Sequence, residues 1–252
     1  MNLNYLYGTE QKVIYETNKI YGVGRFDLER SIELLLNSSH FLQENIEFNS
    51  SEYIYYIFVF YNYLKLPYTL RSIIILWEKG YYLESNILIR SILEGLLQIK
   101  YFYSHKNSLN DHLLNRKRIS FKTMFKELLP DLYDSYYNNL SGFSHSKLIT
   151  SIFRENRKSA EISEIIHGCK FNLKYSGSII SQTIGLAYAH LNFIDIFFPS
   201  FYSKIDTNLK IKIKYYLSET RKKLIKNLNT QSKNEFWERF FNFIDNKHFS
   251  TE

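Results

Sequence analysis

The segment 81–103, YYLESNILIRSILEGLLQIKYFY, decides the fold. Leu83, Ile87, Leu88, Ile89, Ile92, Leu93, Leu96, Leu97 and Ile99 cover most of the circumference of a helix, which places it in the middle of a core rather than on its surface. Against that apolar background Asn86, Arg90, Glu94 and Gln98 recur every four residues and so share one narrow stripe, with Ser91 and Gly95 beside it. Two readings of the stripe stay open. As a solvent-facing edge it holds only an Arg90 and Glu94 pair contributing about 0.3–0.5 kcal/mol. Facing a cleft, it presents a permanently charged guanidinium, oriented by a carboxylate, to a phosphate or another anion.

Working outward, Gly80 sits where a preceding helix should stop and Pro67 where it should begin, which brackets Leu70, Ile74, Leu76 and Trp77. The short turn at Gly80 makes this helix and 81–103 an antiparallel hairpin. The aromatic and β-branched run 53–64 could suit a strand by composition, but no partner strand is apparent, and it reads as helix. A helix at 27–47 carries Ile32, Leu35, Leu36 and Phe41 at core spacing, and further helices are expected at 109–128, 131–142, 172–197, 207–228 and 234–246. In 172–197, Gly177, Ser181, Gly185 and Ala189 form a row of small side chains against which another backbone can pack, from this chain or from a second copy.

Composition agrees with an all-α antiparallel bundle of about seven to nine helices. Hydrophobic residues make up 45% of 252, enough for a sizeable core, while nine Gly and three Pro are too few to punctuate a sandwich or barrel. The expectation is one helical domain over 1–252, with its core in about 27–200; whether the basic helices at about 203–250 are appended to that core or fold back on it stays open. A single cysteine, Cys169, suits a reducing cytosol, and residues 1–22 lack the basic start and apolar core of a signal peptide, so a cytoplasmic protein is expected. The apolar stretches are too short or too interrupted to span a membrane.

The net charge of +7 is concentrated in two places, one around Arg116, Lys117 and Arg118 with Lys122 and Lys126, the other around Arg221, Lys222 and Lys223 with Lys226. Each is either a solvated helix face or a surface for RNA or another acidic partner. Metal and cofactor chemistry are not expected. There is no phosphate-binding loop ending in Lys and Ser or Thr, Gly22 and Gly24 alone make no nucleotide fingerprint, and His167 with Cys169 is no metal-ligand set. Downstream of the central helix, Gly142 should end the helix near Pro130 and leave Ser144 and His145 in a loop.

The block Glu78, Lys79, Gly80, Tyr81, Tyr82 and Glu84, running into Arg90, Ser91 and Glu94 and followed by Leu140, Ser141 and His145, resembles the bacterial helical family known as domain of unknown function 5677. The resemblance covers roughly residues 70–150 and implies a helical core with a polar cluster. A looser likeness is to the HEPN superfamily, helical proteins of prokaryotic toxin and defence systems, some of them metal-independent ribonucleases with an arginine a few residues before a catalytic histidine. Here Asn139 occupies the position six before His145, so the likeness implies a rearranged site with Arg90 supplying the positive charge. In that site His145 serves as general acid or base, Arg90 stabilises the charged phosphorane-like state, and Glu94 and Ser141 orient them. Two functions are therefore expected as alternatives. One is an RNA-associated ribonuclease of stress or phage-defence type; the other is a non-catalytic module that binds a protein partner or forms a homodimer.

Overall fold

The computed structural model describes residues 3–45, 53–133, 170–226 and 231–245, with the backbone of 155–157 and 163–165. Nine α-helices lie among the described residues: α1 (Leu3–Asn45), α2 (Tyr53–Glu78), α3 (Tyr82–Ser104), α4 (Lys106–Leu113), α5 (Phe121–Leu128), α6 (Leu173–Phe197), α7 (Phe201–Lys204), α8 (Thr207–Lys226) and α9 (Gln231–Asp245). The all-α class and the multi-helix bundle are as the sequence predicts. One small addition is a two-stranded antiparallel pair, β1 (Glu155–Arg157) and β2 (Ser163–Ile165), with Asn156 opposite Glu164.

The central helix α3 occupies the segment its apolar pattern marks, and Ile89, Leu93, Leu96, Leu97, Ile99 and Phe102 are buried on it. Helix α2 runs back against it through a turn built on Gly80. The Gly80 N–H donates to the Trp77 carbonyl and the Tyr81 N–H to the Leu76 carbonyl, the paired bonds that end a helix around a left-handed residue. Gly80 has φ +82°, and a Cβ there would meet the Lys170 backbone and Val13 at 3.1 Å, so only glycine fits.

Helix α6 is the third wall of the core, buried on nearly every side from Thr183 to Leu191. Side chains of α2 tie the layers together: the Tyr63 hydroxyl donates to the His190 carbonyl at 2.7 Å, Trp77 Nε1 to Ser176 Oγ at 2.8 Å, and the Tyr55 hydroxyl to the Ile99 carbonyl at 3.2 Å. The row of small residues on α6 packs within this chain. Gly185 and Ala189 are buried, and a Cβ on Gly177 would lie 2.7 Å from the Tyr21 hydroxyl of α1.

Three expectations are corrected. Pro67 lies inside α2 rather than at the start of a helix, because 53–64 and the segment after it form one continuous helix. The missing N–H at Pro67 would leave the Tyr63 carbonyl without its helical donor, and Ser39 Oγ of α1 donates to it instead, at 3.3 Å. Helix α1 begins at Leu3, far ahead of Asp27, with one non-helical residue at Tyr21. Its first half is held by distant partners: Glu10 accepts from the Tyr81 hydroxyl at 2.8 Å and pairs with Lys79 at 3.1 Å, and the Tyr21 hydroxyl donates to the Leu173 carbonyl. Burial pushes the Glu10 carboxyl up, but the bonds from Tyr81 and Lys79 and the Lys79 charge outweigh it and hold it below its usual range.

The segment 109–128 is two helices, α4 and α5. Asn115, at φ +56°, turns the chain between them, and the Ile119 N–H closes the loop on His112 Nδ1 at 3.1 Å. The C-terminal helices, whose placement the sequence leaves open, fold onto the core. Ile213, Tyr216 and Leu224 of α8, with Phe240, Phe241, Phe243 and Ile244 of α9, are part of the same buried core as α3 and α6. Of the helix expected at 131–142 only the beginning is described, next to a 3-10 turn at Pro130–Leu132, and residues 134–142 lie outside the described residues.

Candidate functional site

The polar stripe on α3 is neither a plain solvent edge nor a single cluster. Arg90 Nε donates to Glu94 Oε1 at 2.7 Å, and the two side chains are only 15% and 18% exposed. A guanidinium anchored through its Nε, in a place where water is largely excluded, keeps its charge and gains field strength toward an incoming anion. Asn86, one turn earlier, is buried and its amide donates to the Tyr82 carbonyl at 2.7 Å, so it supports the helix rather than the pair. Gln98 is half-buried, one turn beyond Glu94. Ser91 departs from the stripe: it is exposed and lines a groove with α2 and α6 residues. His145 and Ser141 lie outside the described residues.

The two basic clusters behave differently. In α8, Arg221 makes a bidentate pair with Asp245 of α9, at 2.9 and 2.6 Å, and stacks its guanidinium over Phe241. Lys223 binds Asp27 of α1 at 2.7 Å and Lys222 binds Glu219 at 2.9 Å. These three cations are already neutralised within the chain, and two of them fasten helices to one another. The cations of the turn between α4 and α5 are exposed, and among the described residues only Arg116 has a carboxylate near it, Asp111 at 3.9 Å. Lys122 and Lys126 of α5 reach over the Tyr133 ring.

Sequence reasoning passed over two residues that the fold makes unusual. Lys100 is 5% exposed on α3, donates to the Phe243 carbonyl of α9, and lies 3.7 Å from the centre of the Phe243 ring and 5.0 Å from that of Phe193. Burial pushes its ammonium down to about 8. The signal was a lysine inside the apolar run Leu96, Leu97, Ile99, Tyr101, Phe102. His190 of α6 is 2% exposed; burial, with the Lys65 charge and against the Leu186 bond, pushes it down to about 4. The other described histidines have local tasks: His105 stacks on Tyr101, His112 closes the α4 turn, and His40 pairs with Glu44.

Among the described residues no group of His, Cys, Asp and Glu has the arrangement of a metal site, and no helix is long and apolar enough to cross a membrane. Fold and site together define an all-helical bundle with a half-buried arginine and carboxylate pair on its central helix. Compared with protein-family models, with curated proteins and with solved structures, the chain matches none.

Proposed function

We propose that this chain is an RNA-associated helical protein that holds the phosphate backbone at the turn containing Arg116, Lys117 and Arg118. One observation carries the reading: these three consecutive cations are exposed, with a single loose carboxylate contact among the described residues, whereas Arg221, Lys222 and Lys223 are each committed to a carboxylate of the chain. Unneutralised cations release counterions on meeting a polyanion, which gives affinity without sequence preference. The likeness to the HEPN superfamily extends the proposal to metal-independent cleavage. The ribose 2′-hydroxyl attacks the adjacent phosphorus as the bond to the 5′-oxygen breaks, His145 takes or returns the proton, and Arg90, steadied by Glu94, balances the charge on the phosphorane-like oxygens. Ser141 orients the histidine.

The test is binding and turnover of single-stranded RNA and tRNA across a salt series, without added metal. Changing Arg116, Lys117 and Arg118 to Gln should weaken binding and lower the salt slope by about two to three. Arg90→Ala and His145→Ala should abolish cleavage while binding persists. Absence of RNA binding by the wild type at low salt would exclude the reading.

A second reading, a non-catalytic module for a protein partner or a second copy, is favoured by the outer face of α1, where Tyr15, Val23 and Phe26 are 65%, 73% and 66% exposed. Sedimentation of wild type and Val23→Asp separates the two, because only this reading predicts an assembly that the aspartate dissolves.

A further inference from the structure

Six residues of α1, Gly8, Lys12, Tyr15, Lys19, Gly22 and Phe26, follow one another at alternating steps of four and three, and all six are exposed. That spacing keeps side chains on one face of a helix, and it is the spacing by which one helix seats against another. The non-helical residue of α1, Tyr21, is not on the strip, and the exposure of Gly22, Val23 and Phe26 carries the strip past it.

The fold of the chain alone does not account for these residues. Gly8 and Gly22 have nothing within 4 Å of where a Cβ would stand and neither has a positive φ, so neither packing nor backbone conformation calls for glycine, which a helix disfavours. Each leaves a hole in a face whose knobs are Tyr15 and Phe26. The side chains of Lys12, Glu16 and Lys19 make no ion pair or hydrogen bond among the described residues. Tyr15, Val23 and Phe26 are exposed over most of their surface. They set out roughly 400 Å² of apolar area, the size of patch that marks an interaction site and about half of the ~800 Å² that a stable interface buries on each partner. The glycine backbone and the lysine stems of the same strip add to it.

We infer that this strip is a two-fold interface whose occupant is α1 of a second copy, running antiparallel with the axis near residue 17. The inference rests on the second reading above and names the partner which that reading leaves open. Residues whose numbers add to 34 then face one another, and every such contact occurs twice. Phe26 fills the hole at the partner's Gly8, the stem of Lys12 crosses the partner's Gly22, and Tyr15 meets the stem of the partner's Lys19. Val23 is covered by the partner's Gln11. Glu16 comes level with the partner's Lys19 to within one residue, so each charge finds the opposite charge it lacks in its own chain, which fixes register more than it adds affinity. A parallel pair would instead set hole on hole, Phe26 on Phe26 and each lysine level with itself.

The experiment is sedimentation equilibrium of the full-length chain over a concentration series. Wild type should dimerise, and Gly8→Leu should weaken the dimer roughly tenfold or more by filling the hole that Phe26 needs. The leucine meets nothing in its own chain and favours a helix, so the fold survives it. Were the face merely adhesive, the added leucine would strengthen association instead. Glu16→Lys and Lys19→Glu should each weaken the dimer about fivefold, and the two together should restore it. Orientation is read by oxidising single-cysteine chains made in a Cys169→Ser background. Gly8→Cys mixed with Phe26→Cys should give the mixed disulfide, and neither alone a disulfide dimer. A wild type that stays monomeric overturns the inference and leaves the second reading a different protein as partner. A wild-type dimer that Gly8→Leu does not weaken, or disulfide dimers from Gly8→Cys alone, overturns the inference while self-association stands.

Discussion

Ser39 of α1 supplies the donor that Tyr63 of α2 lacks: its hydroxyl lies 3.3 Å from the Tyr63 carbonyl, which the ring of Pro67 deprives of a helical partner. Ser39→Ala should therefore cost about 1–2 kcal/mol, as a buried carbonyl loses its donor. Pro67→Ala restores a backbone N–H at the position that normally serves Tyr63. In that background the Ser39→Ala penalty should shrink to a few tenths of a kcal/mol. Urea unfolding of the four proteins in this cycle measures the coupling, and fully additive effects would show that the hydroxyl is not the replacement donor.

Two glycines should respond in opposite directions to the same substitution. Gly80→Ala places a side chain at φ +82° against the Lys170 backbone and should lose roughly 2–3 kcal/mol. Gly8, inside α1 with nothing within 4 Å of where a Cβ would stand, should gain about 0.5–1 kcal/mol on change to Ala. Thermal or urea unfolding of both variants reads the sign.

Acid should weaken the fold through His190. Its folded value is pushed down to about 4 from an ordinary 6.5, so between those limits the unfolded chain binds a proton that the folded chain does not. Stability is full above pH 6.5 and falls as the pH drops toward 4, by about 2–3 kcal/mol. His112, also lowered by burial, adds a smaller slope of the same sign. His190→Gln should flatten most of the dependence between pH 6.5 and 4.5 in urea titrations.

Alkali should act first in the other direction. Lys100 releases its proton near pH 8 when folded but near 10.5 when unfolded, so between these values the unfolded chain again binds the extra proton. Stability should rise from pH 8 toward 10 by on the order of 2 kcal/mol. Above pH 10 the sign reverses, because burial keeps Tyr202 and Tyr216 protonated to about 12 in the fold while unfolded tyrosines ionise. Lys100→Met should erase the rise and leave the fall.

How much of this was legible depends on whether the cause was local. The central helix, the turn at Gly80 and the Arg90 and Glu94 pair follow from spacing and backbone conformation within a few residues, and they stand where the pattern puts them. Pro67 misleads because its usual consequence is cancelled by Ser39 on another helix. The first half of α1 has weak periodicity of its own and is held by Lys79, Tyr81 and Leu173. At the candidate sites, spacing puts Asn86 and Arg90 on one stripe but not under one cover: α3's neighbours bury the first and leave Ser91 exposed. His190 is visible as a polar break in an apolar helix, yet Lys65 and Ser91 come to line one groove with it only through the packing of three helices.

The bond from Lys100 to the Phe243 carbonyl joins residues 143 apart in the chain. On a ribosome adding about 5–20 residues per second, the lysine waits roughly 10–30 s for its acceptor and for the phenylalanines that enclose it. Through that interval the seam destined for α9 is an open aromatic trough around a charged amine. The last described helix thus completes the enclosure: a chain cut short of Phe243 lacks both the carbonyl that accepts from Lys100 and the ring that covers its amine.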